Sequence, residues 1–389
     1  MGYIVISEIY LDNAATTKPS ETCVKAMCNA LQAQYYNPSA LYKPALDVQK
    51  QLAETKQLLA ERFGVNKNNV LFTCGGTDAN NCAIFSYAHK CKAGDVVLYT
   101  KIEHPSVAEA CKALAQREII VQEIAVNSDG TVDTEQFKTQ LNDKVKLICI
   151  MHVNNELGTI QNIESICNIR DTLAPNAAIH IDGVQAFLKV PFSFKKYNVQ
   201  SYSFSAHKIH GPKGLGVLVY SKNIHIMPYR FGGGQELGII SGTENTPAIL
   251  GLRAVMLEES NEIDSVFEKK VYFLEKLCQN IPSLKIIGPD PHNKEMAAPH
   301  ILNISFPPLR SDVLINALSQ ENIYCSSGSA CSSQKQKLSS VLQAIHTPRN
   351  IAESAVRFSL SKYTTLEELD IAVNTIYNIY TKFAKFVRR

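Results

Sequence analysis

The stretch SFSAHKIHGPKGLG, residues 203 to 216, sets Lys208 just after an apolar strand, among small residues, two histidines and three glycines. A lysine there is either a surface charge or an amine held in a cleft, and cleft-held amines form Schiff bases with aldehydes. Its neighbours favour the cleft. HIDGVQ puts Asp182 at the end of an apolar strand, where a carboxylate is poorly solvated unless paired. A pyridinium N–H is such a partner, and the pair keeps a ring protonated as an electron sink. An Asp capping a helix is the plain alternative. Gln185, three residues on, is placed to donate to a ring hydroxyl. In CGGTDANN, Gly75 and Gly76 let backbone approach closely and Thr77 adds a hydroxyl. The helix that follows offers free N–H groups, so this reads as an anion site suited to a phosphate, or as an ordinary turn. Ser205 and His207 flank the lysine and can face the same phosphate. His104, in KIEHPSV, follows a strand and is able to stack on a ring and move protons. HVNNELG carries Asn154 and Asn155 at a strand end, where their amides need polar partners. Arg357, inside the apolar AVRFSLS, calls for a carboxylate held bidentately. The last candidate is Cys331 in SSGSACSSQ, one thiol among five serines. Such a run reads as an exposed loop, and an exposed thiol there can attack, carry or be oxidised.

These residues need elements to position them. Residues 20 to 34 and 44 to 62 read as helices, and VVLYT, IIVQEIAV, VKLICIMHV, AAIHIDG, VQSYSFS and GVLVYS as strands. Helices are expected between them, over 106 to 118 and around 161 to 173. Strands alternating with helices of this length indicate an α/β domain with a mostly parallel sheet. After about residue 262 the character changes. A long helix, DSVFEKKVYFLEKLCQNI, leads to LKIIG, HILNISF and AVRFSLS, the pattern of a second, smaller α/β domain.

Composition narrows the class. Of 389 residues, 45% are apolar and 19% charged, ordinary values for a globular protein with room for two cores. A net charge of +3 is too balanced to imply nucleic acid. No signal peptide is read at MGYIVISEIY, which reads as a strand, and no apolar run reaches membrane-spanning length. The eleven cysteines are scattered without C-x-x-C spacing, so reduced thiols and a cytoplasmic location are expected, with no metal site.

Taken in order, LDNAATT, NPS, FTCGGTDANN, EHPSV, MHVNNELGTIQ, HIDGVQ, SFSAHKIHGPKGLG, GGGQE, SGTENT, PHILNISF, SSGSACSS and VRFSLSKYTT resemble the cysteine desulfurases. These are fold-type-I pyridoxal-phosphate (PLP) enzymes of the class V aminotransferase group, and the loop resembles the first of their two groups. The resemblance implies an α/β PLP-dependent transferase with a large domain over 16–262 and a small domain from 1–15 and 263–389 carrying the Cys331 loop. It implies Lys208 as Schiff-base lysine, Cys331 as sulfur acceptor, and His104 as stacking acid–base. It pairs Asp182 with the ring nitrogen and Gln185 with the ring hydroxyl. The phosphate falls to Gly76, Thr77, Ser205 and His207, with Thr243 from a partner subunit of a homodimer. Asn155 and Arg357 would hold the substrate carboxylate. The reaction implied is L-cysteine to L-alanine with sulfur passed to Cys331 as a persulfide, for iron–sulfur cluster assembly or tRNA thiolation through an acceptor protein. A selenocysteine lyase would share nearly all of this, and an aminotransferase would share Lys208, Asp182 and Arg357 but would not need Cys331. Departures stand at Tyr36, Ala40 and Tyr42, where the group has glycine, serine and histidine. At Leu237 and Ile240 it often has arginines. The chain also stops soon after the helix following SKYTT, which leaves the docking contact open.

Overall fold

The computed structural model describes residues 8–222, 224–258, 262–328 and 338–387, so Cys331 and the first seven residues of the expected N-terminal strand lie outside the described residues. The chain starts with β1 (Ile9–Tyr10), α1 (Glu21–Ala33) and α2 (Lys43–Phe63). The expected helices are therefore present to within a residue. α2 buries Ala45, Val48, Leu52, Thr55 and Leu59 along one face, the three-and-four spacing of an amphipathic helix. It ends at Gly64, whose left-handed φ of 70° lets its N–H reach back to the carbonyls of Ala60 and Glu61.

Next come β2 (Val70–Thr73), α3 (Gly76–Ala88), β3 (Val96–Thr100), α4 (Pro105–Ala113), β4 (Ile120–Ile124), α5 (Thr134–Gln140), β5 (Val145–Met151), α6 (Ile163–Leu173), β6 (Ala178–Asp182), β7 (Ser201–Ser205) and β8 (Gly216–Tyr220). The helix expected over 106 to 118 is α only to Ala113 and then tightens into a 3-10 turn, Leu114–Arg117, that leads to β4. The strands form one seven-stranded sheet in the order β2-β8-β7-β6-β5-β3-β4. Only β8 runs against its neighbours; β7, β6, β5, β3 and β4 pair in parallel. Strands of a sheet covered on both faces read as unbroken apolar runs rather than alternating ones. β3 and β8 follow this pattern and are buried throughout; β7, SYSFS, is buried throughout as well but alternates serine with aromatic residues. Two cores lie on the two faces, one including Leu98, Ile148 and Phe204, the other Val97, Cys149 and Leu218.

The remaining elements are α7 (Thr246–Leu257), α8 (Ile263–Asn280), β9 (Lys285–Ile287), β10 (Ile301–Ser305), α9 (Ser311–Gln320), β11 (Ile323–Tyr324), α10 (Ser340–Ala344), α11 (Arg349–Ala352), β12 (Ala355–Ser359) and α12 (Leu366–Val387). α7 packs on α1 against the large sheet. β12-β10-β9 form an antiparallel sheet, and α8, α9 and α12 supply Phe273, Leu314 and Ile376 to its core. β1 pairs in parallel with β11, so the start of the chain joins this smaller C-terminal α/β unit. The C-terminal ends of β3, β5, β6 and β7 converge at one edge of the large sheet, which is where ligands of parallel α/β sheets bind. Register fixes the neighbours: Met151 lies opposite Asp182, and Asp182 opposite Ser203. Among the described residues no helix is long and apolar enough to cross a membrane, and no group of three or more metal-ligating side chains occurs.

Candidate active site

A cavity of about 560 Å³ opens at those strand ends. Gly76, Thr77, His104, Asn155, Asp182, Gln185, Ser205, His207, Lys208 and Arg357 all line it. Ten of the twelve residues singled out in the sequence thus share one cavity. Thr243 does not line it and is exposed, and Cys331 lies outside the described residues.

Lys208 closes the 3-10 turn after β7, and its Nζ donates to the carbonyls of Ala14 and Ala15, each at 2.7 Å. Asp182, buried at the end of β6, is fixed at both oxygens. Oδ1 accepts from the Val184 N–H and Oδ2 from the Asn80 Nδ2, both at 2.9 Å. Asn80 is a hub that the sequence reading missed. The same Nδ2 donates to Ser106 Oγ at 2.9 Å, and its Oδ1 takes hydrogen bonds from Ser203 Oγ and from His180 Nε2. His104 is the N-cap of α4. Its Nδ1 accepts from the Ser106 N–H at 3.1 Å, which leaves Nε2 as the nitrogen available to exchange protons. Burial holds His104 below its ordinary pKa; the Asp182 carboxylate opposes this and the Lys208 ammonium adds to it.

The phosphate-like end lies at the N-terminus of α3. Gly75 takes φ 151° and makes no side-chain cap, so the first N–H groups of the helix have no capping side chain. A Cβ on Gly76 would fall 2.8 Å from Val184 Cγ2, so only glycine brings the backbone this close. His207 Nδ1 lies 3.1 Å from Thr16 Oγ1, and burial, aided by Lys208, Lys213 and Lys189, pushes its pKa down to about 4.

Arg357, on β12, is almost fully buried. Its Nη2 pairs with Asp12 Oδ1 at 2.6 Å and with Ser326 Oγ at 3.0 Å; its Nη1 donates to the Asn155 carbonyl at 2.9 Å. The carboxylate expected for this arginine is thus met first within the chain, by Asp12, 345 residues away. Arg357 lines the cavity, while its Nε is buried with no partner among the described residues. Gln185 lines the cavity and is oriented from two sides: its Nε2 donates one hydrogen to the Ala14 carbonyl at 2.8 Å and its Oε1 faces His300 Nε2 at 3.1 Å. Of the paired asparagines, Asn154 is structural, its Oδ1 accepting from the N–H groups of Glu156 and Leu157, while Asn155 lines the cavity.

Two buried acids at the cavity were also missed. Glu103 accepts from Thr100 Oγ1 and from the Met151 N–H, and burial pushes its pKa well up. Glu156 accepts from Ser339 Oγ at 2.6 Å. Ser339 and Gly328, whose carbonyl faces Arg357 Nη1 at 3.4 Å, are described residues on either side of Cys331, and both are tied to the cavity wall. Cys325 is buried after β11, where burial raises its thiol pKa to about 12, the state of an unreactive thiol.

The donor set fits pyridoxal phosphate. A fixed carboxylate stands at one end, an amine and an imidazole between, and an uncapped helix N-terminus with hydroxyls at the other.

The sheet order, the cavity at the strand ends and the lysine within it define a fold-type-I PLP-dependent transferase. Residues 9–371 match the Aminotransferase class-V family, and the chain belongs to it. It is 36% identical over 383 residues to a NifS/IcsS protein homolog of Lactobacillus delbrueckii, covering 97% of this chain and 98% of that one. It is 33% identical over 380 residues to cysteine desulfurase IscS of Dictyoglomus turgidum, covering 96% and 95%. Among solved structures it resembles a NifS-like protein with TM-score 0.88 and 32% identity, over 96% of this chain and 99% of that chain.

Proposed function

We propose that the chain is a PLP-dependent cysteine desulfurase that converts L-cysteine to L-alanine and passes the sulfur to Cys331. The observation that carries the residue roles is the shared cavity: Lys208, His104 and Asp182 stand there with the buried Arg357. Bound in it, PLP supplies an aldehyde that captures amines and a protonated ring that takes up electron density from the substrate Cα. Asp182, oriented by Asn80 and Val184, would pair with the ring nitrogen and keep it protonated. His104 would stack on the ring, with Nε2 the nitrogen that exchanges protons. Gly76, Thr77, Ser205 and His207 would hold the phosphate, joined by Thr243 of a partner subunit. Gln185 would support the ring hydroxyl from its position between Ala14 and His300. Arg357 and Asn155 would hold the substrate carboxylate.

Lys208 would hold the cofactor aldehyde and, as a free amine, would take the substrate Cα proton. Cys331, as thiolate, attacks the substrate sulfur. The substrate Cβ–S bond breaks as the S–S bond forms, and the carbon skeleton takes up a proton and leaves as alanine. Glu156 and Arg357 tie Ser339 and Gly328, the described residues on either side of Cys331, to the site. The enzyme acts as a homodimer and delivers its sulfur to a scaffold or thiolation protein. With a reducing thiol present, alanine and sulfide should appear one for one from L-cysteine. Pyruvate as product, or a need for a 2-oxo acid, would instead make it a lyase or an aminotransferase.

A further inference from the structure

The N-terminus of α3 carries a contradiction. Asp78 sits in its first turn and folds its carboxylate back toward the Cys74-to-Thr77 loop, accepting from the Cys74 N–H at 2.8 Å. That contact holds the loop in shape. It also sets a negative charge beside the N–H groups that a phosphate needs, in the hollow lined by Gly75, Gly76, Thr77, Asp78, Ser205 and His207. Like charges at one site disfavour each other. The offset comes from another part of the chain. Arg230 Nη2 lies 3.2 Å from Asp78 Oδ2 and 3.4 Å from Oδ1, and both its Nη atoms lie 3.5 Å from Cys74 Sγ. Arg230 is fixed by a parallel bridge to Ile240, one of the positions where the desulfurase resemblance expects an arginine. A guanidinium therefore enters this corner from across that bridge.

We propose that Arg230 is a positioning residue for the cofactor phosphate, acting through Asp78: it cancels the Asp78 charge while leaving that carboxylate in place to shape the phosphate loop. The inference rests on reading the α3 N-terminus as the phosphate site. Arg230 touches the loop and not the reacting atoms, so its effect belongs to cofactor affinity and, within that, to the phosphate. Lys213 lines the same hollow and keeps its charge in every variant below.

The test uses full-length protein stripped of cofactor with hydroxylamine and titrated by equilibrium dialysis with PLP and with pyridoxal, which lacks the phosphate. The readout is the ratio of the two dissociation constants. Arg230→Ala should lower the preference for PLP about tenfold and leave pyridoxal affinity within about twofold. Asp78→Asn added to Arg230→Ala should restore most of the preference, because asparagine still accepts from Cys74 but carries no charge. Asp78→Asn alone, which leaves the arginine untouched, should keep or raise it. An unchanged ratio in Arg230→Ala, equal losses of PLP and pyridoxal, or no recovery in the double variant would each overturn the proposal, as would a clear fall in Asp78→Asn. If the wild type itself does not prefer PLP to pyridoxal, the phosphate reading fails, and this inference fails with it.

Discussion

Replacing Arg357 by lysine separates the arginine's shape from its charge. The guanidinium makes contacts in several directions at once: Asp12 and Ser326 from Nη2, Asn155 and Gly328 from Nη1, with Nε buried and unpartnered among the described residues; on its proposed role it also holds the substrate carboxylate. An ammonium is a point charge on a flexible stem and cannot span that fork. It still neutralises Asp12. Lysine should therefore cost the fold only ~1–2 kcal/mol, one or two ordinary hydrogen bonds. Methionine would strand the Asp12 carboxylate and cost about 3–5 kcal/mol. The substrate loses one charge-assisted hydrogen bond, worth ~1.5–3 kcal/mol, so kcat/KM should fall roughly 10- to 150-fold. Because the bond is made to the bound carboxylate before chemistry as well as during it, most of the loss should appear in KM. Alanine formation against L-cysteine concentration gives both constants, and urea unfolding gives the stability. Arg357→Lys with kcat/KM within about threefold of wild type and an unchanged KM would refute the reasoning.

Lys208→Ala should bind PLP without a covalent link, and borohydride reduction of the wild type followed by peptide mapping should label Lys208; label on another lysine ends that assignment. Cys331→Ala should keep the cofactor and its spectral response to cysteine yet release almost no sulfide, while Cys325→Ala keeps most activity; wild-type turnover in Cys331→Ala would remove the thiol from the reaction. His152 is buried among Phe192 and Tyr202, and burial lowers its pKa to about 4. Its folded pKa lies below its unfolded value of about 6.5, so the unfolded chain takes the proton first. Its share of stability is complete above that pH and drains away toward pH 4, at about 1.4 kcal/mol per unit. Urea midpoints for wild type and His152→Leu between pH 7 and 4.5 should differ in slope by that amount, and parallel curves would exclude a neutral buried imidazole.

Much of this was written locally. β3 and β5 announce themselves as apolar runs, and Lys208, Asp182 and His104 could be picked out because each lies at or soon after the end of a strand. What stayed hidden is what holds them. Asn80 reads as one more polar residue on a helix, yet it reaches Asp182 across 102 residues of chain. Asp12 gives no sign that it will meet Arg357. Glu103 and Glu156 look like solvent-facing acids beside a turn, because a single carboxylate has no periodicity to betray its burial. Gln185 was found, but not its engagement, since both its partners come from distant segments.

The ion pair between Asp12 and Arg357 has a consequence for how the enzyme is made. Arg357 leaves the ribosome 345 residues after Asp12, and the loop before α3, Asp182 and Lys208 emerge in between. Until β12 is made, Asp12 lacks the guanidinium that pairs with it. On the roles proposed above, a nascent chain would assemble the cofactor's place before the substrate's, so recovery of turnover, rather than recovery of bound cofactor, would be the signal that the chain has closed on itself.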